Sequence, residues 1–308
     1  MGYRYMYDLI IIGGGPAGLT AAVYAARKKM DTLLLTKEFG GQLMWTKEIE
    51  NYMGYQFISG PELMSKFEEQ VKRFAVLTKY EEVNSLKVRD DGTYLIKTEE
   101  GEYEGKTVIA AMGKRPRRLE VPGEIEFTGR GVSYCATCDG PLFADKVVAV
   151  VGGGNSAVQA ALELSGIAPT VYLIVRNNTY DADPILLDKM KAAKNIVEMK
   201  GYVSTGIFGD ELVEKITIRE IASGKTQDLA VGGVFVEVGL EPNSEFLQDI
   251  VAMNQEGELV VDCRSKTNIP GLYAAGDVTN GPDKQIVIAA GDGAKSALMA
   301  YDYLLHRK

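Results

Sequence analysis

Leu9-Ile10-Ile11-Ile12-Gly13-Gly14-Gly15-Pro16-Ala17-Gly18 is a short apolar run that ends at once in a glycine turn. A helical pattern follows through Leu19, Ala22, Val23 and Ala26. Strand, GxGxxG and helix in this order read as a dinucleotide-binding turn: glycines let the backbone close on a pyrophosphate, and the helix N-terminus faces its charge. Asp31 to Thr36 supplies a second strand. Glu38 stands where an acidic partner for a ribose hydroxyl is sought, roughly 20 residues on, although an ordinary loop carboxylate reads the same way. Gly40-Gly41-Gln42 makes a flexible loop with an amide, suited to backbone approach to a flat ring and equally at home in a plain turn.

Outward from this turn, Pro61 to Phe74 carries Leu63, Phe67, Val71 and Phe74 on one stripe and predicts an amphipathic helix on a core. Leu86 to Val88, Tyr94 to Thr98 and Thr107 to Ala111, separated by turns at Asp90-Asp91-Gly92 and Glu100-Gly101, predict a small β-meander that feeds a buried strand. Gly113 to Pro116 breaks the pattern. Downstream the arrangement recurs: strand Lys146 to Val151, a GxGxxA turn at Gly152-Gly153-Gly154-Asn155-Ser156-Ala157, helix Val158 to Ser165 and strand Thr170 to Val175. Val213 to Glu220, a turn at Ser223-Gly224 and Leu229 to Val238 repeat the hairpin and its terminal strand. The coincidence has to occur twice at matching offsets, so it is a specific signal for two nucleotide-binding units.

A second break falls at Gly239-Leu240-Glu241-Pro242. Beyond it, Leu259-Val260-Val261 and Gly271 to Ala275 read as short strands, the latter leading into Gly276-Asp277, and Gln285 to Leu305 reads as a closing helix. That tail is too small to fold alone and is expected to pack on the first unit. The predicted fold is α/β, with two Rossmann-like, three-layer ββα nucleotide-binding domains, the second inserted in the first. The boundaries are 1–113 with 243–308, and 114–242.

Inside the inserted unit lies Cys135-Ala136-Thr137-Cys138-Asp139, a dithiol followed by a carboxylate. Two sulfurs at this spacing can close one disulfide, and an adjacent acid can move the proton that thiol-disulfide exchange requires. The spacing could also be half of a zinc site, which needs three or four Cys or His ligands. Only Cys263 and His306 remain to complete one, a poor ligand set, and no metal is expected. Cys263 reads as structural, and Trp45 reads by default as core packing.

With 308 residues, 46% of them hydrophobic, the chain can bury a large core without staples. Its net charge of −8 argues against a nucleic-acid surface, which needs clustered Lys and Arg. Three cysteines are no secreted disulfide framework. Met1 to Asp8 runs straight into the first strand without an apolar leader, and no apolar run reaches the length of a membrane span, so a cytoplasmic location is expected.

These motifs together resemble the low-molecular-weight thioredoxin reductase family of pyridine nucleotide-disulfide oxidoreductases. Features of the alkyl hydroperoxide reductase flavoprotein subunit without its N-terminal domains are also present. The resemblance covers nearly the entire chain and rests on Gly13 to Gly18, Gly40-Gly41-Gln42-Leu43, Ile49-Glu50-Asn51-Tyr52, Cys135 to Asp139, Gly152 to Ala157, Gly276-Asp277-Val278 and Gln285-Ile286. It implies FAD in the first domain, held by Gly13, Gly15, Pro16, Ala17, Gly18, Glu38, Gly40, Gly41, Gln42, Leu43, Asn51, Gly113, Gly276, Asp277, Val278, Gln285 and Ile286. It implies a nicotinamide nucleotide at Gly152, Gly154, Asn155, Ser156, Ala157 and Arg176. Electrons would pass from the nicotinamide through FAD to Cys135 and Cys138 and on to a thioredoxin or a glutaredoxin-like or double-thioredoxin-fold protein. In that scheme Cys138 faces the flavin, Cys135 attacks the partner disulfide and Asp139 is the acid/base. The family also implies a homodimer and a rigid-body rotation of one domain, with hinges at 113–116 and 239–242.

Two stretches depart from the family pattern. NADPH-using members carry an arginine cluster for the 2′-phosphate after the second strand of the inserted unit, whereas this chain has Val175-Arg176-Asn177-Asn178-Thr179-Tyr180-Asp181. Only Arg176 remains and Asp181 would repel a phosphate, which favours NADH over NADPH. The acid that would grip a free ribose is also missing, because Val175 stands at the strand end, so a donor such as reduced ferredoxin or flavin stays open. After the dithiol, Pro141-Leu142-Phe143 replaces the paired aromatics that dock thioredoxin, and with Lys284 to Gly291 it resembles the hydroperoxide-reductase branch. A flavin-dependent NADH oxidase or diaphorase, with the dithiol secondary, is the alternative from a different class.

Overall fold

The structure is a computed structural model that describes residues 5–45, 49 and 51–307. Glu50 of the flavin-side motif and the Trp45 side chain lie outside the described residues. The chain divides into two compact units, Met1–Arg115 with Glu241–Lys308, and Pro116–Leu240.

The first unit begins with β1 (Met6–Gly14), α1 (Pro16–Arg27), β2 (Thr32–Phe39), α2 (Gly60–Arg73), β3 (Leu77–Tyr80), β4 (Val83–Val88), β5 (Tyr94–Thr98) and β6 (Glu102–Ala110). β1 is central, with parallel neighbours β2 and β6, while β4, β5 and β6 form the antiparallel meander. Leu9, Ile10, Ile11 and Ile12 are at most 4% exposed, because both faces of β1 are covered. Leu9 and Ile11 pack with Leu19 and Ala22 of α1; Ile10 and Ile12 pack with Leu86, Tyr94 and Ile96 of the meander. Burial of each such side chain contributes about 1.5–3 kcal/mol, which explains why a continuous apolar run, rather than an alternating one, marks a strand covered on both faces.

Lys114–Pro116 (β7) leads into the second unit. There β8 (Val132–Ser133) and the short helix α3 (Ala136–Asp139) precede β9 (Val148–Val151), α4 (Asn155–Ser165), β10 (Val171–Val175), α5 (Pro184–Ala192) and β11 (Ile196–Lys200). Next come β12 (Tyr202–Gly209), β13 (Val213–Glu220), β14 (Thr226–Ala230) and β15 (Gly233–Val236). A parallel five-stranded sheet, β11-β10-β9-β15-β8, is backed by α4 on one face and by the antiparallel β12-β13-β14 on the other. Each unit therefore has helix, parallel sheet and antiparallel sheet in layers, and the α/β fold with two Rossmann-like units stands.

β16 (Leu240–Pro242) pairs with β7, and the chain returns to the first unit. β17 (Leu272–Ala274) adds to β6, and α6 (Ile286–His306) packs against α1. That contact is close: a Cβ at Gly293 would lie 2.0 Å from the Ala17 carbonyl oxygen.

Two expected strands need correction. Leu229 to Val238 is not one strand; β14 ends at Ala230 and β15 starts at Gly233, in a different sheet. Gly232-Gly233 permits the change, and at Gly233 a side chain would meet the Phe143 ring at 2.4 Å. Leu259-Val260-Val261 makes only isolated bridges, Leu259 with Met253 and Thr279. Its apolar content serves burial of Leu259, not a ladder.

Candidate functional site

β1 ends by lifting away at Gly13, whose φ of +114° and absent Cβ let it lie against Ala111; a Cβ would sit 2.2 Å from the Ala111 oxygen. Gly18 closes the turn from the other side, where a Cβ would be 1.8 Å from the Gly13 oxygen. Gly15 is the N-cap of α1 and no side chain caps it, so the first-turn N–H groups point into a space that a Cβ at Gly15 would enter without contact. A backbone cradle with free N–H groups and the positive end of a helix dipole suits a pyrophosphate.

Glu38, Gly40 and Gly276 lie against that turn, and the other sequence-predicted residues of this unit meet in pairs of their own. The Glu38 carbonyl would be 2.9 Å from a Cβ at Gly14, and the Gly40 N–H donates to the Gly14 oxygen at 3.0 Å. Leu43 is buried in the core beneath. Gly276 adopts φ +73° with its Cα facing Ala17 and Ala289, which sets Asp277 and buried Val278 beside the α1 start. Asn51 and Gln285, far apart in sequence, are joined: the Asn51 amide donates to the Gln285 oxygen at 3.0 Å, just before Ile286 begins α6. The Gln42 amide donates to the Lys114 carbonyl at 3.2 Å, next to Gly113. Glu38 and Gln285 are exposed.

Asp277 has no hydrogen-bond partner among the described residues, and burial pushes its carboxyl above the ordinary range despite the opposing fields of Lys284 and Lys114. A half-buried carboxylate beside a dinucleotide cradle, with no protein donor on it, can accept from the hydroxyl donors that a polyol supplies. The residues present therefore fit FAD.

A cluster that the sequence did not reveal stands nearby. Lys114 and Lys284 both donate to Glu258 Oε1, at 2.7 and 3.0 Å, and the Asn254 amide donates to Oε2 at 2.7 Å. Burial works against the Glu258 charge, yet these donors hold the carboxyl down to about 2. With side chains of Lys114 and Glu258 only 12% exposed, the pair is worth more than a surface bridge. Glu258→Gln is expected to lower stability by about 3 kcal/mol at neutral pH. The depressed carboxyl contributes stability above its ordinary value near 4.5, lost as pH falls toward 2, so wild-type and variant denaturation midpoints should converge over that interval.

In the second unit Cys135 and Cys138 are joined in a disulfide with Cα atoms 5.4 Å apart. Cys135 is the N-cap of α3, and its Sγ accepts from the Cys138 N–H at 3.2 Å. Ser133 Oγ accepts from the Cys135 N–H at 3.0 Å and fixes the approach. Asp139 ends α3, with its N–H on the Cys135 oxygen at 3.1 Å. Thr137 Oγ1 donates to Glu163 of α4 at 2.8 Å. The half-buried disulfide is thus held on a short, anchored helix.

Gly152, at φ +148°, would place a Cβ 2.1 Å from the Glu237 oxygen and 2.9 Å from the Ala157 methyl. Gly154 caps α4 without a side-chain bond, and Asn155 and Ser156 are exposed in the first turn. The segment after β10 folds onto this turn: the Asp181 N–H donates to the Gly153 oxygen at 2.8 Å, and Asn155 exchanges hydrogen bonds with Asp183. Arg176 is exposed and makes no ion pair among the described residues. Among the described residues no group of three His, Cys, Asp or Glu is placed to hold a metal ion.

Residues 7–293 match the family description "Pyridine nucleotide-disulphide oxidoreductase". The chain belongs to this family. The crystal structure of Lactococcus lactis thioredoxin reductase is similar over 97% of this chain and 99% of that one, with 40% identity and a TM-score of 0.88. An alkyl hydroperoxide reductase subunit from Pseudomonas putida is 42% identical over 305 residues, 97% of this chain and 58% of the relative. A Bacillus subtilis protein called NADH dehydrogenase is 40% identical over 301 residues, 97% of this chain and 59% of that one. The chain thus spans about three fifths of the length of these curated relatives. Among the described residues no helix is long and apolar enough to cross a membrane.

Proposed function

We propose that the chain passes electrons from a nicotinamide nucleotide, NADH in preference to NADPH, through FAD to the Cys135–Cys138 disulfide and on to a protein disulfide of the thioredoxin or glutaredoxin-like kind. The observation that carries this reading is the closed Cys135–Cys138 disulfide on a helix of the same unit as the Gly152 turn. FAD, when bound, supplies the two-electron chemistry that joins a hydride donor to a disulfide, which no side chain here can provide. The chain's own residues hold and orient. Gly13 to Gly18 and Glu38 receive the adenosine diphosphate part, Asp277 the polyol, and Gln42, Asn51 and Gln285 the ring side. Cys138 takes the flavin-facing position, Cys135 attacks the partner disulfide, and Asp139 moves the proton. Gly113 and Gly239, both at positive φ with no atom within 4 Å of a Cβ, suit the two chain crossings to a hinge. A cytoplasmic homodimer completes the reading.

The preference for NADH rests on charge. A 2′-phosphate would meet one arginine, Arg176, and the exposed carboxylate of Asp181, with Asp183 beyond it. Asp181→Arg is expected to raise the NADPH-to-NADH ratio of kcat/KM by about tenfold, since a charge-assisted contact replaces a like-charge one. Rapid-mixing measurement of flavin bleaching by each nucleotide checks it, and faster bleaching of the wild type by NADPH overturns the preference. Bleaching by neither, with reduction by ferredoxin or free reduced flavin, would assign another donor. The relative called NADH dehydrogenase favours a second reading, an oxidase or diaphorase that uses the dithiol little. Full physiological activity in the Cys135→Ser, Cys138→Ser double variant would establish it.

A further inference from the structure

Glu258 sits where the first-unit segments that carry the polyol and ring contacts meet. Its Oε1 accepts from Lys114 Nζ at 2.7 Å and from Lys284 Nζ at 3.0 Å, and its Oε2 accepts from the Asn254 amide at 2.7 Å. On the Lys114 side, the carbonyl of the same residue accepts the Gln42 amide at 3.2 Å, beside Gly113. On the Lys284 side the path divides. The ammonium also donates to the Thr279 carbonyl, and Thr279, 2% exposed, closes the Gly276–Asp277 turn with its N–H and its Oγ1 on the Gly276 carbonyl at 3.0 and 2.8 Å. The Lys284 backbone passes directly to Gln285, whose side-chain oxygen accepts from the Asn51 amide at 3.0 Å. One carboxylate, 12% exposed, thus ties down the neighbours of Gln42, Asp277 and Gln285.

We propose that Glu258 is a positioning residue for the polyol and ring side of the flavin site, holding Lys114 and Lys284 so that Gln42, Asp277 and Gln285 stand in place to bind. This rests on the reading of the first unit as the FAD site. Two ammoniums share one carboxylate oxygen, so the cluster stays closed only while that oxygen is charged. A neutral amide in its place leaves the two cations facing each other. It also has no orientation that serves both sides, because with its oxygen on the lysines its NH2 meets the Asn254 donor. Burial raises the Asp277 carboxyl and the fields of Lys284 and Lys114 oppose it, so displacing either lysine alters the group that meets the polyol. The glycine turn is held differently. Gly13 lies against the Ala111 backbone and Gly18 against the Gly13 carbonyl, contacts that need no charge, so the pyrophosphate cradle outlasts loss of the cluster.

The test follows FAD release from the FAD-loaded full-length chain, by the fluorescence of free FAD, on dilution and on addition of ADP, which competes for the cradle without reaching the ring side. In Glu258→Gln the dissociation constant for FAD should rise at least about tenfold while that for ADP stays within about twofold. Loosening of the whole unit would move both constants together, so the split separates positioning from stability. Lys284→Met keeps the Lys114–Glu258 pair and cuts the arm to Thr279. It should weaken FAD at least about threefold with ADP again unchanged, and it decides the matter where Glu258→Gln folds poorly. An FAD constant unchanged in either variant, or equal losses for FAD and ADP, overturns the positioning role and leaves the flavin reading intact. A wild type that holds no FAD, or holds FAD that ADP does not displace, overturns that reading as well.

Discussion

Cys135→Ser is expected to lower the reduction of a protein disulfide by at least about 10³-fold, while flavin-dependent reduction of ferricyanide stays within about twofold of wild type. Serine lacks the sulfur that must form the mixed disulfide, and its hydroxyl is far less acidic than a thiol. The fold should survive. Cys135 is the N-cap of α3, with its sulfur accepting the Cys138 N–H, and serine is a good cap for the same bond. The lost disulfide closes only a three-residue separation and constrains little of the unfolded chain. The pair of assays separates the two ends of the electron path: undiminished reduction of the protein disulfide would remove Cys135 from the attacking role.

The second large effect comes from two glycines. Gly13→Ala puts a Cβ 2.2 Å from a backbone oxygen of Ala111 and holds alanine at φ +114°; Gly152→Ala puts one 2.1 Å from the Glu237 oxygen at φ +148°. Neither obstacle is a side chain that can swing aside, so each turn must open, at a cost of about 3 kcal/mol or more. Gly13→Ala should purify without flavin. Gly152→Ala should keep its flavin and lose reduction by the nicotinamide nucleotide, with KM for the nucleotide rising by at least about tenfold. Flavin absorbance per chain and nucleotide-driven bleaching measure the two losses. The opposite pattern would exchange the two nucleotide assignments.

Much of this architecture was legible because its signals are local. An apolar run covered on both faces, a glycine turn and a helix start lie within a few residues, and Leu9 to Gly18 and Val148 to Ala157 fold as their patterns predict. Recurrence of the whole block supplied the second unit. The pairing of Cys135 with Cys138 was within reach of spacing, and the meeting of Asn51 with Gln285 was implied only by resemblance. What escaped is nonlocal. Lys114, Asn254, Glu258 and Lys284 converge through four separate segments, and nothing around any one of them announces the other three. The split of Leu229 to Val238 was hidden for a related reason, since strand propensity continues through the point where the chain changes sheets.

The relay itself is tested most directly by its electron capacity. Anaerobic titration of the oxidised, FAD-loaded full-length chain with NADH, followed by alkylation and mass analysis, counts where the electrons go. The relay predicts two electrons taken up beyond those held by the flavin, with both Cys135 and Cys138 alkylated only after NADH is added. A chain that takes up only the flavin's two electrons and keeps the Cys135–Cys138 disulfide closed would contradict it.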